Sequence, residues 1–95
     1  MKILAIEKEI KTANWSNEND TLVKEAEKVY ELYLSGSLRE IYFNDNHCAV
    51  IILECENLDS AEKLLSTLPL VQKGLISFEI MELNPYTGFN RIVKD

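Results

Sequence analysis

An α+β sandwich, ordered strand–helix–strand–strand–helix–strand, is the fold class this 95-residue chain predicts. Three observations carry the prediction. Apolar residues recur at helical spacing in two separate stretches, each following a β-like run. A turn-rich tetrapeptide, Asn44-Asp45-Asn46-His47, joins two short β-like runs. Between turn and second helix, Cys48-Ala49-Val50-Ile51-Ile52-Leu53 is apolar without a break. A strand with one wet face alternates apolar and polar side chains, so this run reads as covered on both faces.

Lys2 to Ile10 is the first strand, with Leu4 and Ile6 on one face, Ile3 and Ala5 on the other. Thr12 to Asp20 is a polar loop containing Trp15, and Asn19 or Asp20 is placed to cap the next helix. That helix runs from Thr21 to Ser35. Its apolar stripe is Leu22, Ala26, Val29, Tyr30, Tyr33 and Leu34, and Lys24, Glu25, Glu27, Lys28 and Glu31 make the solvated face. Gly36 is positioned to end it. Leu38 to Phe43 is the second strand, and the apolar run at 48–53 is the third, paired with it as a hairpin. Asp59 is a candidate N-cap with Glu62 in the capping-box position, and Ala61, Leu64, Leu65 and Leu68 form the second helix's stripe. Pro69 disfavours helix at Leu68 and so ends it. Leu75 to Leu83 is the fourth strand, with Ile76, Phe78 and Ile80 on one face, and residues 84–95 form a turn-rich tail.

This order is the split βαβ, or ferredoxin-like, arrangement. It implies a four-stranded antiparallel sheet in the order 4-1-3-2 with two helices on one face. The strands apolar on both sides, the first and third, fall in the centre. Two helices roof one face only. The other face then calls for a second copy of the chain, a homodimer in which the sheets meet.

Composition narrows the function classes. One domain spans 1–95, near the common domain size. The net charge is −6, with Lys and Arg scattered. A nucleic-acid backbone or an anionic membrane surface needs concentrated positive charge, so neither is expected as a partner. No apolar stretch approaches the ~20 residues that cross a bilayer. Glu7 and Glu9 interrupt the first apolar segment, which is not the pattern of a secretory leader. Cys48 and Cys55, placed on one strand, stand roughly 23 Å apart at ~3.3 Å per residue, too far for a disulfide. Free thiols suit a reducing cytoplasm.

Several segments together resemble the muconolactone isomerase-like branch of the dimeric α+β barrel proteins. They are Ile3-Leu4-Ala5-Ile6-Glu7, Arg39-Glu40-Ile41-Tyr42-Phe43, Ala49 to Cys55, and above all Leu65-Ser66-Thr67-Leu68-Pro69-Leu70-Val71-Gln72-Lys73-Gly74-Leu75. Phe78-Glu79 and Leu83-Asn84-Pro85-Tyr86-Thr87-Gly88-Phe89 extend the likeness over nearly the whole chain. The resemblance implies two sheets pairing face to face to close a barrel, with ligands held between the sheet and helices of each subunit. Members of that branch include isomerases of lactones, cofactor-independent oxygenases and many proteins of unknown role, so the resemblance implies fold and dimer more than one activity.

The residues offer the following chemistry. A native metal is not expected: His47 is the lone histidine and falls in the hairpin turn. Nor is a nucleotide cofactor, because the three glycines are far apart. Cys48 and Cys55 read as packed thiols rather than nucleophiles. Glu7 and Glu54 are the candidate catalytic pair. If the first and third strands run parallel with Ile3 beside Val50, the two carboxyls stand about 5 Å apart at one sheet end. Like charges that close raise one pKa, which suits an acid or base; the alternative is a solvated rim paired with Lys8 or Arg39. Arg39 and Tyr42 are candidates to orient a substrate oxygen, and Tyr30 and Tyr33 to line a pocket. Trp15 is either a lid over that pocket or a staple against the first helix. The leading expectation is a cofactor-independent isomerase of small cyclic, lactone-like compounds. A ligand-binding or accessory module without catalysis is the rival, and a cofactor-independent monooxygenase the third reading.

Overall fold

A computed structural model describes residues 1–93. The last two positions of the expected tail lie outside the described residues. Its elements are β1 (Lys2–Glu9), α1 (Asn19–Leu34), β2 (Leu38–Phe43), β3 (Ala49–Glu54), α2 (Leu58–Leu65), α3 (Pro69–Gln72) and β4 (Ile76–Leu83). Single 3-10 turns at Trp15–Asn17 and Gly88–Arg91 flank α1 and close the described tail. The sheet order is β2-β3-β1-β4, as expected.

All three strand pairings are antiparallel. The expected parallel pairing of β1 with β3 is therefore corrected. The crossover through α1 makes β2 run with β1, and the tight hairpin then reverses β3. Ile3 faces Leu53, and Ile6 faces Val50.

One sheet face carries the core. Ile3 and Ala5 of β1, Leu38 of β2, Ala49, Ile51 and Leu53 of β3, and Ile76 of β4 are buried there. Those of β1, β2 and β3 meet Leu32 of α1, Ala61 and Leu65 of α2, and Leu68, while Ile76 packs in a second, smaller cluster with Leu70 and Leu75. A register shift between Leu38 and Glu40 makes Arg39 a bulge, so Leu38, Ile41 and Phe43 share the helix side. Leu4, Ile6, Val50 and Ile52 on the opposite face are half-buried, and Met81 and Tyr42 beside them are exposed.

The helices depart from expectation in two ways. Asn57, not Asp59, caps α2, its side chain accepting from the Ser60 N–H at 2.8 Å. The second helical stretch is broken: Leu68 is extended, and Pro69 opens a new turn, α3, as its first residue. Pro69 thus starts a helix as well as ending one. Gly36 and Gly74 take φ of +85° and +71° after α1 and α3, the left-handed conformation that ends helices. The expected caps Asn19 and Asp20 lie inside α1, which begins after Glu18 without a side-chain cap.

Candidate functional site

Beneath the N-terminal half of α1 the sandwich is hollow. The cavity measures about 640 Å³ and is bounded by both aromatic and acidic side chains. Its floor is the helix-facing row of the sheet where β1 ends: Glu7 and Glu9, with Ala49 of β3 and Ile41 and Phe43 of β2. Its roof is Leu22, Glu25, Ala26 and Val29 of α1, with Leu70 of α3. Trp15 and the hairpin residues Asn46, His47 and Cys48 complete the rim.

The local sequence explains the shape. Successive same-face residues of β1 are Ile3, Ala5, Glu7 and Glu9, so one row passes from fully buried to charged. In the hairpin, the Asn44 side chain accepts from the N–H groups of Asn46 and Cys48, both at 3.0 Å. His47 takes a φ of +60°, unusual for a non-glycine residue, and its ring stacks on Phe43 with centroids 4.1 Å apart. Turn and strand are thereby fixed to each other at the cavity mouth.

Glu25 is the residue that sequence reading missed. Its charge predicts the solvated face, yet it points into the cavity. Its carboxylate accepts the Leu70 N–H at 3.0 Å. Burial pushes its pKa up, the Leu70 hydrogen bond opposes that, and the nearby Glu7 charge adds to the rise. The signal was present in its spacing. Leu22, Glu25, Ala26, Val29 and Leu32 are three or four apart along α1 and form one stripe.

The other candidates separate. Glu7 is in the cavity, its Oε1 accepting the Ala49 N–H at 3.2 Å. Glu54 is not. It sits at the opposite sheet end, opposite Lys2, and pairs with the Met1 ammonium at 3.2 Å. Five positions of β1 separate the two, roughly 17 Å at ~3.4 Å per residue, so the expected 7–54 carboxyl pair does not form. Trp15 reaches the cavity, where it is 37% exposed. Tyr30 and Tyr33 are 61% and 58% exposed and line nothing here. Three-residue spacing put them on one side of α1, but the stripe centred on Val29 and Leu32 faces inward instead. Arg39 is spent on structure, its Nε donating to the Gly36 carbonyl at 2.6 Å. The Tyr42 hydroxyl donates to Glu40 at 2.8 Å on the far side of the sheet, and that bond and charge hold its pKa high.

Cys48 borders the cavity as a thiol. Partial burial, and then Glu7 and Glu9, push its pKa up, the reverse of what a thiolate nucleophile requires. Cys48 and Cys55 flank β3 rather than lying on it, and both are free. Among the described residues, no three His, Cys, Asp or Glu side chains converge as metal ligands. No helix among them is long and apolar enough to cross a membrane.

No protein-family model matches this chain, and no curated protein does. Solved structures do. Muconolactone isomerase aligns with a TM-score of 0.77 at 13% identity, covering 92% of each chain. The 5-chloro-2-hydroxyhydroquinone dehydrochlorinase of Burkholderia phenoliruptrix AC1100, in complex with 2,5-dihydroxybenzoquinone, aligns with a TM-score of 0.70 at 13% identity, over 93% of this chain and 98% of that one. The fold is therefore the α+β, ferredoxin-like one that the sequence resembles, shared with muconolactone isomerase.

Proposed function

We propose that this chain is a cofactor-independent enzyme that moves protons on a small organic molecule bound under α1, an isomerase in its simplest form. The observation that supports it best is Glu25: a carboxyl held in a largely apolar cavity, its pKa raised by burial and by Glu7. Two carboxyls whose environments differ divide the labour of acid and base. Glu25 in its acid form gives a proton to one atom of the substrate. Glu7, as carboxylate, removes a proton from another. The sum is a shifted hydrogen, with no electron lost or gained. Glu7 and Glu25 thus replace the pair 7 and 54 in this reading. A cyclic, lactone-like substrate is the class we favour, in keeping with a muconolactone isomerase sharing the fold. A cavity rather than a solid helix–sheet interface favours an enzyme over an accessory module.

The open sheet face supports a second part of the proposal, a homodimer. Leu4, Ile6, Val50 and Ile52 form a contiguous apolar patch with Met81, in the middle of the sheet. A second copy laid on it would keep these groups from water. Sedimentation equilibrium should give twice the chain mass, and Ile52→Glu should give a folded monomer. A wild-type monomer at micromolar concentration would remove this part.

The test of the chemistry is to identify a ligand that co-purifies, by native mass spectrometry, and to follow its turnover and its uptake of solvent deuterium. Glu25→Gln and Glu7→Gln should each slow both by ~10²–10⁴-fold, the usual contribution of a positioned acid or base. Unchanged rates in both variants would sink the proton-transfer reading.

A further inference from the structure

We infer that the cavity selects its ligand by charge: it takes a compact apolar body bearing hydrogen-bond donors and rejects one bearing a carboxylate. This rests on the proposed role of the cavity as a ligand site, and it narrows the substrate class of that site.

Three glutamates, Glu7, Glu9 and Glu25, line the cavity, and among the described residues no lysine or arginine does. His47, the one basic side chain among the described residues that line it, lies flat against Phe43. Two of the glutamates are anchored by one oxygen each. Glu7 Oε1 holds the Ala49 N–H and Glu25 Oε1 holds the Leu70 N–H. A carboxylate has about four acceptor sites, so most of the capacity of such a group remains open, and a carboxyl in the acid form proposed for Glu25 still keeps acceptor sites beside the one in use. Groups like these, beside a ligand that excludes water, need donors to replace that water. Leu22, Val29, Ile41 and Leu70 supply the apolar surface for the ligand's body.

An anion entering this space would lose its own hydration beside like charges in a medium of reduced dielectric. The chain as a whole carries −6, which also repels it on approach. A hydroxyl or an ammonium group satisfies the open carboxylate oxygens. Both present the same donor chemistry, and they differ in charge.

A matched set of one-ring probes separates these: catechol, benzylamine and benzoate, titrated calorimetrically into the full chain at low ionic strength. Catechol or benzylamine should bind at least ~10-fold more tightly than benzoate. The tighter of the two names the donor as hydroxyl or ammonium. Glu9→Gln, and separately Glu7→Gln, should narrow the gap to benzoate, and raising the salt concentration should narrow it further for the wild type. Benzoate binding as tightly as either donor probe would overturn the inference. So would a gap that neither substitution changes. If the gap is as expected while Glu25→Gln and Glu7→Gln both leave turnover intact, the charge selection stands and the acid–base proposal falls. If none of the three probes binds and nothing co-purifies, the ligand-site reading falls, and the selection with it.

Discussion

The two ends of β1 are built to different ends, although one face of one strand carries both. At the start, Ile3 and Ala5 are wholly buried against Leu53 and Ile51 of β3 and under the helices. At the finish, Glu7 and Glu9 line a cavity, while Phe78 and Ile76 opposite them on β4 pack into the small cluster with Leu70 and Leu75. The first half buys stability by close packing. The second leaves space and brings carboxyls into it, which burial makes unfavourable when charged. A domain of this size has little stability to spare, and the hollow is where the proposed function places its ligand.

The comparison is broken most severely by chemistry. In the hollow half, Glu25→Gln should cost ~10²–10⁴-fold in turnover. The folded state should survive it, because a glutamine oxygen can still accept the Leu70 N–H. In the packed half, the ranking reverses. Leu53→Ala, at a fully buried site, should cost ~2–5 kcal/mol in stability by removing packed atoms and leaving a void. Leu22→Ala, in the cavity roof and already 37% exposed, should cost well under half of that. Urea unfolding of the two variants gives the contrast directly. Equal losses would mean the cavity is closed and packed in solution.

Much of this was legible in the sequence. The strand ends were read to within a residue, because β-like runs, Asn44 to His47 and the glycines punctuate them plainly. The central positions of β1 and β3 followed from their apolar faces. What failed was anything that depended on three-dimensional direction. The strand directions needed the crossover and the hairpin to be counted together, and miscounting them set Glu7 beside Glu54. On α1 the inward stripe was drawn by residue type. Residue type predicts Tyr30 and Tyr33 inside and Glu25 outside, and the structure has the reverse. Spacing alone places Glu25 with Leu22, Val29 and Leu32, and a charge on an apolar stripe is a better sign of a site than an aromatic on one.

A smaller effect tests the packed half from its edge. Asn57 caps α2, which carries Ala61 and Leu65 into the core. Asn57→Ala should cost ~1 kcal/mol, and Asn57→Asp almost nothing, since the aspartate accepts the same N–H and complements the helix dipole. A full loss in both variants would mean the side chain matters for something other than the cap.

The finest test uses pH, and two carboxyls of the α1 region, Glu25 in the cavity and Glu18 at the start of the helix, should move stability in opposite directions. Glu25 has a raised pKa, so the folded state binds its proton more tightly than the unfolded chain does. The stability it contributes is full in acid, below the unfolded pKa, and is lost as pH rises through the raised folded value. Glu18, at the start of α1, is the reverse. Its hydrogen bond from Lys73, with a smaller one from Thr21, holds its pKa down. Its contribution is present above the unfolded pKa and is lost as pH falls through the lowered folded value. Glu25→Gln should therefore match the wild type in acid and gain on it towards neutral pH. Lys73→Met should match it in acid and lose to it at neutral pH. The second difference should shrink in salt, because the Lys73 ammonium side of the pair is about half open to solvent. Thermal melts at a series of pH values read both. A Glu25→Gln curve parallel to the wild type across that range would mean the carboxyl is solvated in the folded protein, and the hollow half would then differ from the packed half in shape alone.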